Sequence, residues 1–258
     1  MTGTARVVIE EQWTTSGGAR IRYLDNRPDV ESGLPILFSP GVTDFADEYR
    51  AMLEFLAPRR VVVVEVRGRG RSEAPESGYA VADQADDLEA VVRHAGLGRL
   101  HVMTFSRGTS SALTLALRHP ASVASISIGD YLAIELALPP EWPEHHWGLR
   151  WRGRPMPQRI GRHVLEGIQQ ASIARPLWDD VAGLGVPVLV ARGTEGGIVS
   201  DQAVARYRRA IPDVEVVTIP GAGHDLFRPD RLRYPSAVAE FLERHFPSGS
   251  DRLPPPGA

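Results

Sequence analysis

The stretch Leu100-His101-Val102-Met103-Thr104-Phe105-Ser106-Arg107-Gly108 passes from an apolar strand pattern through one serine into a helix start. A tight turn of that kind lifts a hydroxyl above the end of a sheet, where it can act as a nucleophile. The same serine could simply cap the helix. A nucleophilic serine needs a base, and Pro220-Gly221-Ala222-Gly223-His224-Asp225 offers one. His224 sits in a glycine-flanked loop between a strand pattern and a helix pattern. An imidazole so placed can take the serine proton and deliver it to a leaving group. The remaining histidines lack such a setting; for His145 and His146 a solvated surface is the simpler account.

Other chemistries are closed by composition. All 29 basic residues other than histidine are arginine, so no lysine can form a Schiff base or hold phosphates in a P-loop. With no cysteine, thiol nucleophiles, disulfides and thiolate metal sites are impossible. A formal net charge of −3 provides no basic field for nucleic acid. No run of about 18 apolar residues suggests a membrane span. Residues 1–15 lack the basic start and apolar stretch of a signal peptide. The expectation is a cytoplasmic protein without metal or organic cofactor, monomeric or homodimeric.

Positioning these side chains requires a scaffold, and the 258-residue chain alternates short Val/Ile/Leu runs with helical patterns. That rhythm predicts βα units and a mostly parallel sheet. Strands are expected at residues 35–39, 60–66, 100–105, 123–129, 186–192 and 214–219, after an opening hairpin of 7–13 and 20–25 turning at Ser16-Gly17-Gly18. The unbroken Val61 to Val64 run fits a strand covered on both faces. Helices are expected at 47–57, 83–95, 108–119, 201–210 and 235–246. Residues 131–184 interrupt the pattern with Trp142, Trp147, Trp151 and Trp178, several prolines and an arginine cluster. Their aromatic content favours a lid with its own helices over a disordered insert. The Pro-rich residues 247–258 read as a frayed tail.

Together these features resemble the α/β-hydrolase superfamily, over about residues 5–246. Its nucleophile elbow, G-x-S-x-G, is matched at Ser106 and Gly108, with Thr104 in place of the first glycine. Ile36-Leu37-Phe38-Ser39-Pro40-Gly41-Val42 looks like the family's His-Gly oxyanion loop with Pro40 replacing histidine. The resemblance implies that the backbone N–H groups of Val42 and Arg107 face a developing oxyanion. Arg67-Gly68-Arg69-Gly70-Arg71-Ser72 matches a scaffolding loop of the family. Most members carry the triad acid after the strand here at 186–192, but that position reads Gly196. A minority place it after the preceding core strand, which here ends in Asp130. Asp130 is therefore the expected acid, with Glu195 and Asp201 as alternatives. An acid before a short, arginine-bearing lid is similar to the (acetamidomethylene)succinate hydrolase branch.

The resemblance implies an α/β-hydrolase core at 1–130 and 185–246, a lid at 131–184, and catalysis by Ser106, His224 and Asp130. The expected reaction is hydrolysis of a small ester, lactone, thioester or activated amide through an acyl-enzyme. Trp142, Trp147 and Trp151 would line the acyl pocket, or pack the lid. Arg150 and Arg154, with Arg152 and Arg159, would clamp an anionic small-molecule substrate, or form a solvated face. Alternatives are a ligand receptor on this fold, or a non-hydrolytic enzyme such as a carbon–carbon lyase or cofactor-free oxygenase.

Overall fold

The structure, a computed structural model, describes residues 7–247. The expected frayed tail falls, apart from Pro247, outside the described residues.

The chain opens with a hairpin of β1 (Glu10–Ser16) and β2 (Ala19–Asp25). Its two turn residues have φ of +52° at Gly17 and +84° at Gly18, a backbone that glycine adopts without a Cβ penalty. β3 (Ile36–Ser39), a short 3-10 turn, α1 (Arg50–Phe55) and β4 (Val61–Glu65) follow. Next come α2 (Val81–His94), β5 (Leu100–Phe105), α3 (Gly108–Arg118) and β6 (Val123–Gly129). Then come β7 (Ile134–Glu135), α4 (Trp142–Trp147), β8 (Arg150–Trp151), β9 (Arg154–Pro155), α5 (Arg162–Gln170) and β10 (Arg175–Pro176), outside the main sheet. The chain returns through α6 (Trp178–Gly183), β11 (Val188–Gly193), α7 (Asp201–Ala210), β12 (Glu215–Ile219) and α8 (Arg233–His245).

Eight strands make one sheet in the order β1-β2-β4-β3-β5-β6-β11-β12. β2 runs antiparallel to both neighbours, and the remaining pairs are parallel. The valine run explains why the sheet is covered twice. Val62 and Val64 enter the core under α2, α3, α6 and α7, while Val61 and Val63 enter the core under α1 and α8. Burying both faces removes the run from water, the main favourable term in folding. β3 joins β4 on one side, and the chain then crosses to β5 on the other. Such a switch in strand order opens a crevice at the carboxyl ends of the strands.

The opening strand starts at Glu10 instead of residue 7, because cross-strand pairing begins only at the Glu10–Asp25 couple. Residues 131–184, expected as a lid, divide in their packing. α6 packs on the body, with Trp178 edge-on to Tyr207 at 4.7 Å. Residues of α5 instead form a separate cluster with Tyr79 and Met156, against which Val42, Trp142, Trp147 and Trp151 pack. No described helix is long and apolar enough to cross a membrane.

At Gly108 the start of α3 presses on the end of β3. A Cβ there would lie 2.1 Å from the Pro40 carbonyl oxygen and 2.5 Å from that of Ser39. Backbone atoms cannot swing aside like side chains. Gly108→Ala is therefore expected to cost about 2–3 kcal/mol of stability, measured by urea unfolding; wild-type stability in the variant would contradict this packing.

Candidate active site

Five neighbouring parallel strands deliver the site. Val42 follows β3, Ser106 follows β5, Asp130 follows β6, the 194–199 loop follows β11, and His224 follows β12.

Ser106 is buried and has φ of +51°, a left-handed backbone uncommon outside glycine. The turn is tied down on both sides: Ser106 N–H donates to the Gly129 carbonyl at 2.8 Å, and its carbonyl accepts from Thr109 N–H at 3.0 Å. Thr104, where the family usually has glycine, is fully buried. Its hydroxyl bridges to Thr109 Oγ1 at 2.8 Å and to the Ser127 carbonyl at 3.1 Å. The bulkier residue thus stitches strand to helix without disturbing the elbow.

Ser106 Oγ lies 2.9 Å from His224 Nε2, and His224 Nδ1 lies 2.7 Å from Asp130 Oδ2. With the carboxylate accepting at Nδ1, that nitrogen carries the proton and Nε2 is left to accept. The Phe105 ring stacks on the imidazole with centroids 5.3 Å apart. Asp130 is wholly buried, with φ of +41°. Its Oδ2 also accepts Ile198 N–H at 2.9 Å, and Oδ1 accepts Val199 N–H at 3.1 Å. Those amides belong to the loop where the acid usually resides. A Cβ on Gly197 would fall 2.5 Å from Asp130 Oδ2, so the glycine leaves room for the carboxylate. Gly197, and not Gly196, adjoins the acid. Glu195 is exposed beside Thr194, and Asp201 is 92% exposed in an ion pair with Arg192. Neither contacts His224.

The Val42 and Arg107 amides donate no hydrogen bond to any described residue. Gly41 N–H, in contrast, is taken by Asp44 Oδ2 at 3.0 Å. Two free N–H groups beside Ser106, one of them at the start of α3, suit an anionic oxygen.

A cavity of about 180 Å³ opens over Ser106 and His224, bordered by Val42, Trp151, His146 and Met156 among others. Arg150 and Trp151, two of the expected substrate-binding residues, border it. Trp142, Trp147 and Arg154 do not. Trp142 lies against the His146 ring, Trp147 lies beneath Arg162, and Arg154 extends over Phe45 from an exposed position. His146, read from the sequence as surface, borders the cavity, and burial pushes its pKa down. Its helical position facing inward left no signal in composition.

Neither the arginine clamp nor the solvated face describes Arg152 and Arg159. Arg152, at the tip of the β8–β9 hairpin, makes a bidentate pair with Asp225 at 2.8 Å on both arms and reaches Glu48 at 3.2 Å. Burial opposes its charge, yet Tyr49, Asp225 and Asp44 outweigh that and hold its pKa above the ordinary arginine range. Arg159 pairs with Glu48 at 2.6 Å and donates to the Thr43 carbonyl at 2.9 Å. Next to Arg152, the Trp151 indole donates to Asp44 Oδ1 at 2.6 Å. The hairpin therefore fastens the Gly41–Val42 loop through Asp44 and the His224 loop through Asp225.

Among the described residues, no cluster of three or more His, Cys, Asp or Glu could hold a metal ion.

Comparison with known proteins gives the same architecture. A family model described as the alpha/beta hydrolase fold matches residues 35–142. The chain has the α/β-hydrolase fold. It is 28% identical over 228 residues to 2-(acetamidomethylene)succinate hydrolase of Mesorhizobium japonicum, covering 75% of this chain and 82% of that one. Non-heme chloroperoxidase of Streptomyces lividans is also 28% identical over 228 residues, covering 72% and 82%. Among solved structures, E-2-(acetamidomethylene)succinate hydrolase superposes with a TM-score of 0.71 at 21% identity, covering 92% of this chain and 99% of that one. A thermophilic esterase from Thermogutta terrifontis gives 0.73 at 23%, covering 93% and 100%.

In this hydrolase-fold protein, Arg152→Met would leave Asp225 short of its main cation and Glu48 with Arg159 alone. The expected loss is about 2–4 kcal/mol, read by urea unfolding, with Arg152→Lys recovering only part of it because one amine cannot make the bidentate contact. Equal stability of all three proteins would show the hairpin to be unpinned.

Proposed function

We propose that the protein is a serine hydrolase cleaving a small ester, lactone, thioester or activated amide. The observation that carries this reading is the continuous chain from Ser106 Oγ to His224 to Asp130, at 2.9 Å and 2.7 Å.

Ser106 Oγ attacks the substrate carbonyl as His224 Nε2 takes its proton. The carbonyl oxygen gains negative charge and is held by the Val42 and Arg107 N–H groups. Collapse expels the leaving group, which receives the proton from His224, and leaves an acyl-ester on Ser106. Water then enters, gives its proton to Nε2, attacks the ester and releases the acid. Throughout, Asp130 keeps the imidazole in the tautomer that can accept from serine. No step requires a metal or organic cofactor.

Residues 131–176 act as a lid over the cavity, with Trp151 and Met156 as its apolar wall. About 180 Å³ suits a small acyl group. Arg150 at the rim is the group of the expected clamp that can meet an anionic substrate, since Arg152 and Arg159 are committed to carboxylates. The amide- and ester-cleaving names among the similar proteins support the bond types chosen.

The test combines labelling with turnover of a 4-nitrophenyl ester of a short acid. A fluorophosphonate should label Ser106, and Ser106→Ala should remove both labelling and turnover. Asp130→Asn should lower kcat by about 10³–10⁴-fold, whereas Glu195→Gln should stay within about two-fold, as for an exposed residue remote from the chemistry. Wild-type turnover in Ser106→Ala would overturn the hydrolase reading, and ligand binding without acyl-enzyme would favour a receptor. Equal small losses in the two acid variants would overturn the role of Asp130.

A further inference from the structure

The polar side chains that border the Ser106 cavity are mostly committed. Ser106 and His224 hold each other, and the Asp44 oxygens accept from Gly41 N–H, the Tyr49 hydroxyl and the Trp151 indole. Arg150 can only donate, and the Thr43 hydroxyl can turn to donate or accept. His146 differs from all of these. It lies on α4, with Nδ1 at 3.0 Å from the Trp142 carbonyl oxygen one turn back. A carbonyl oxygen only accepts, so Nδ1 carries the proton and the neutral ring presents Nε2 as a bare acceptor. The Trp142 indole lies against the imidazole with centroids 4.0 Å apart, which holds the plane of the ring. No described residue donates to Nε2, yet the atom is not sealed from solvent.

Electrostatics keeps that acceptor available. Burial, the largest cause, lowers the pKa of His146, and the charges of His145 and Arg107 add to it against the opposing pull of the Trp142 carbonyl. The ring is therefore neutral at neutral pH, and Nε2 accepts. Water fills such a site in the free protein. An acyl group entering a cavity of about 180 Å³ displaces that water, and it must then donate to Nε2 or leave it unpaired. A methyl group cannot donate, whereas a hydroxyl or an amide N–H can. An ammonium donates too, but Arg107 already acts on this ring as a positive charge and Arg150 borders the same cavity. A further cation is repelled there, so the fitting donor is neutral.

We propose that His146 sets substrate choice by accepting a hydrogen bond from a neutral O–H or N–H on the acyl part of the substrate. This rests on the serine-hydrolase reading and narrows its substrates to hydroxyacyl and acylaminoacyl compounds. Purely hydrocarbon acyl groups of the same size fit the apolar wall at Trp151 and Met156 but leave Nε2 without a donor. His146 takes no part in proton transfer at Ser106, which belongs to His224.

Matched pairs of 4-nitrophenyl esters test this: glycolate against propionate, and 3-hydroxypropionate against butyrate. Within each pair a hydroxyl replaces a methyl of similar size. The readout is the ratio of kcat/KM within a pair, compared between the wild type, His146→Phe and His146→Leu. Both variants lack the acceptor, and the first keeps a ring against Trp142. In at least one pair the preference for the hydroxy ester should fall by about five-fold or more in either variant. Loss of folded enzyme cancels from the ratio, because both esters meet the same preparation, and so the second variant carries the test if the first folds poorly. The intrinsic reactivity of the esters cancels between proteins. Ratios unchanged from the wild type in both variants would overturn the role of His146 and leave the hydrolase reading intact. Absence of wild-type turnover on all of these esters would overturn the hydrolase reading, and this inference with it.

Discussion

A single buried carboxylate, that of Asp130, holds the crevice at the carboxyl ends of the strands in register. It accepts from the Ile198 and Val199 amides and faces His224 Nδ1, so three segments that follow three different strands meet on two oxygen atoms. A carboxylate with no exposure is tolerated only while its lone pairs are filled, and each unfilled partner would cost about 1–3 kcal/mol. The loops are therefore mutually dependent. His224 orients Ser106 only because Asp130 orients His224, and Asp130 is held in place by a loop that contributes no side-chain acid. Both Ser106 and Asp130 occupy left-handed backbone, and each has its N–H anchored to a neighbouring strand, at the Gly129 and Ala191 carbonyls. The sheet thereby carries the strain that aims the two side chains.

The body of the fold was readable because its signal is local. Runs such as Val61 to Val64 report burial on both faces, and pattern alone located the six parallel strands to within two residues. Only strand ends drifted, since hydrogen-bond pairing sets them and hydropathy does not. Ser106 and His224 were readable for a similar reason: each sits in a short motif between a strand and a helix. Asp130 was a harder case. Nothing adjacent to it marks an acid, and the clue lay in what the 194–199 loop lacks. The space beside Gly197 that would hold a carboxylate from that loop is already filled by the one reaching across from β6.

The insertion resisted such reading because its partners are distant in sequence. Arg152 meets Asp225, 73 residues away, and Glu48, 104 residues away. No window of sequence joins those charges. Hence a cluster that read as a wet surface first and a substrate clamp second proved to be neither at Arg152 and Arg159. The same distance explains why Trp151 and Trp147, four residues apart in sequence, differ so much in environment. One borders the Ser106 cavity with its indole on Asp44, and the other supports Arg162 on the outside.

Placing charge in this way has a consequence for the cavity. Ion pairs that are largely buried contribute little net stability compared with apolar packing, but they are demanding about geometry. The Arg152–Asp225 and Trp151–Asp44 contacts flank the Ser106–His224 axis, on the imidazole side and the oxyanion-loop side. A hairpin pinned at both points keeps Trp151 at a fixed distance from Phe105, whose ring in turn backs the imidazole. Because these contacts occupy the arginines and acids around the cavity, its inner wall is left largely to Val42, Met156 and Trp151. A pocket with a polar end and an apolar wall discriminates by shape, and its rim carries the one arginine that borders it, Arg150.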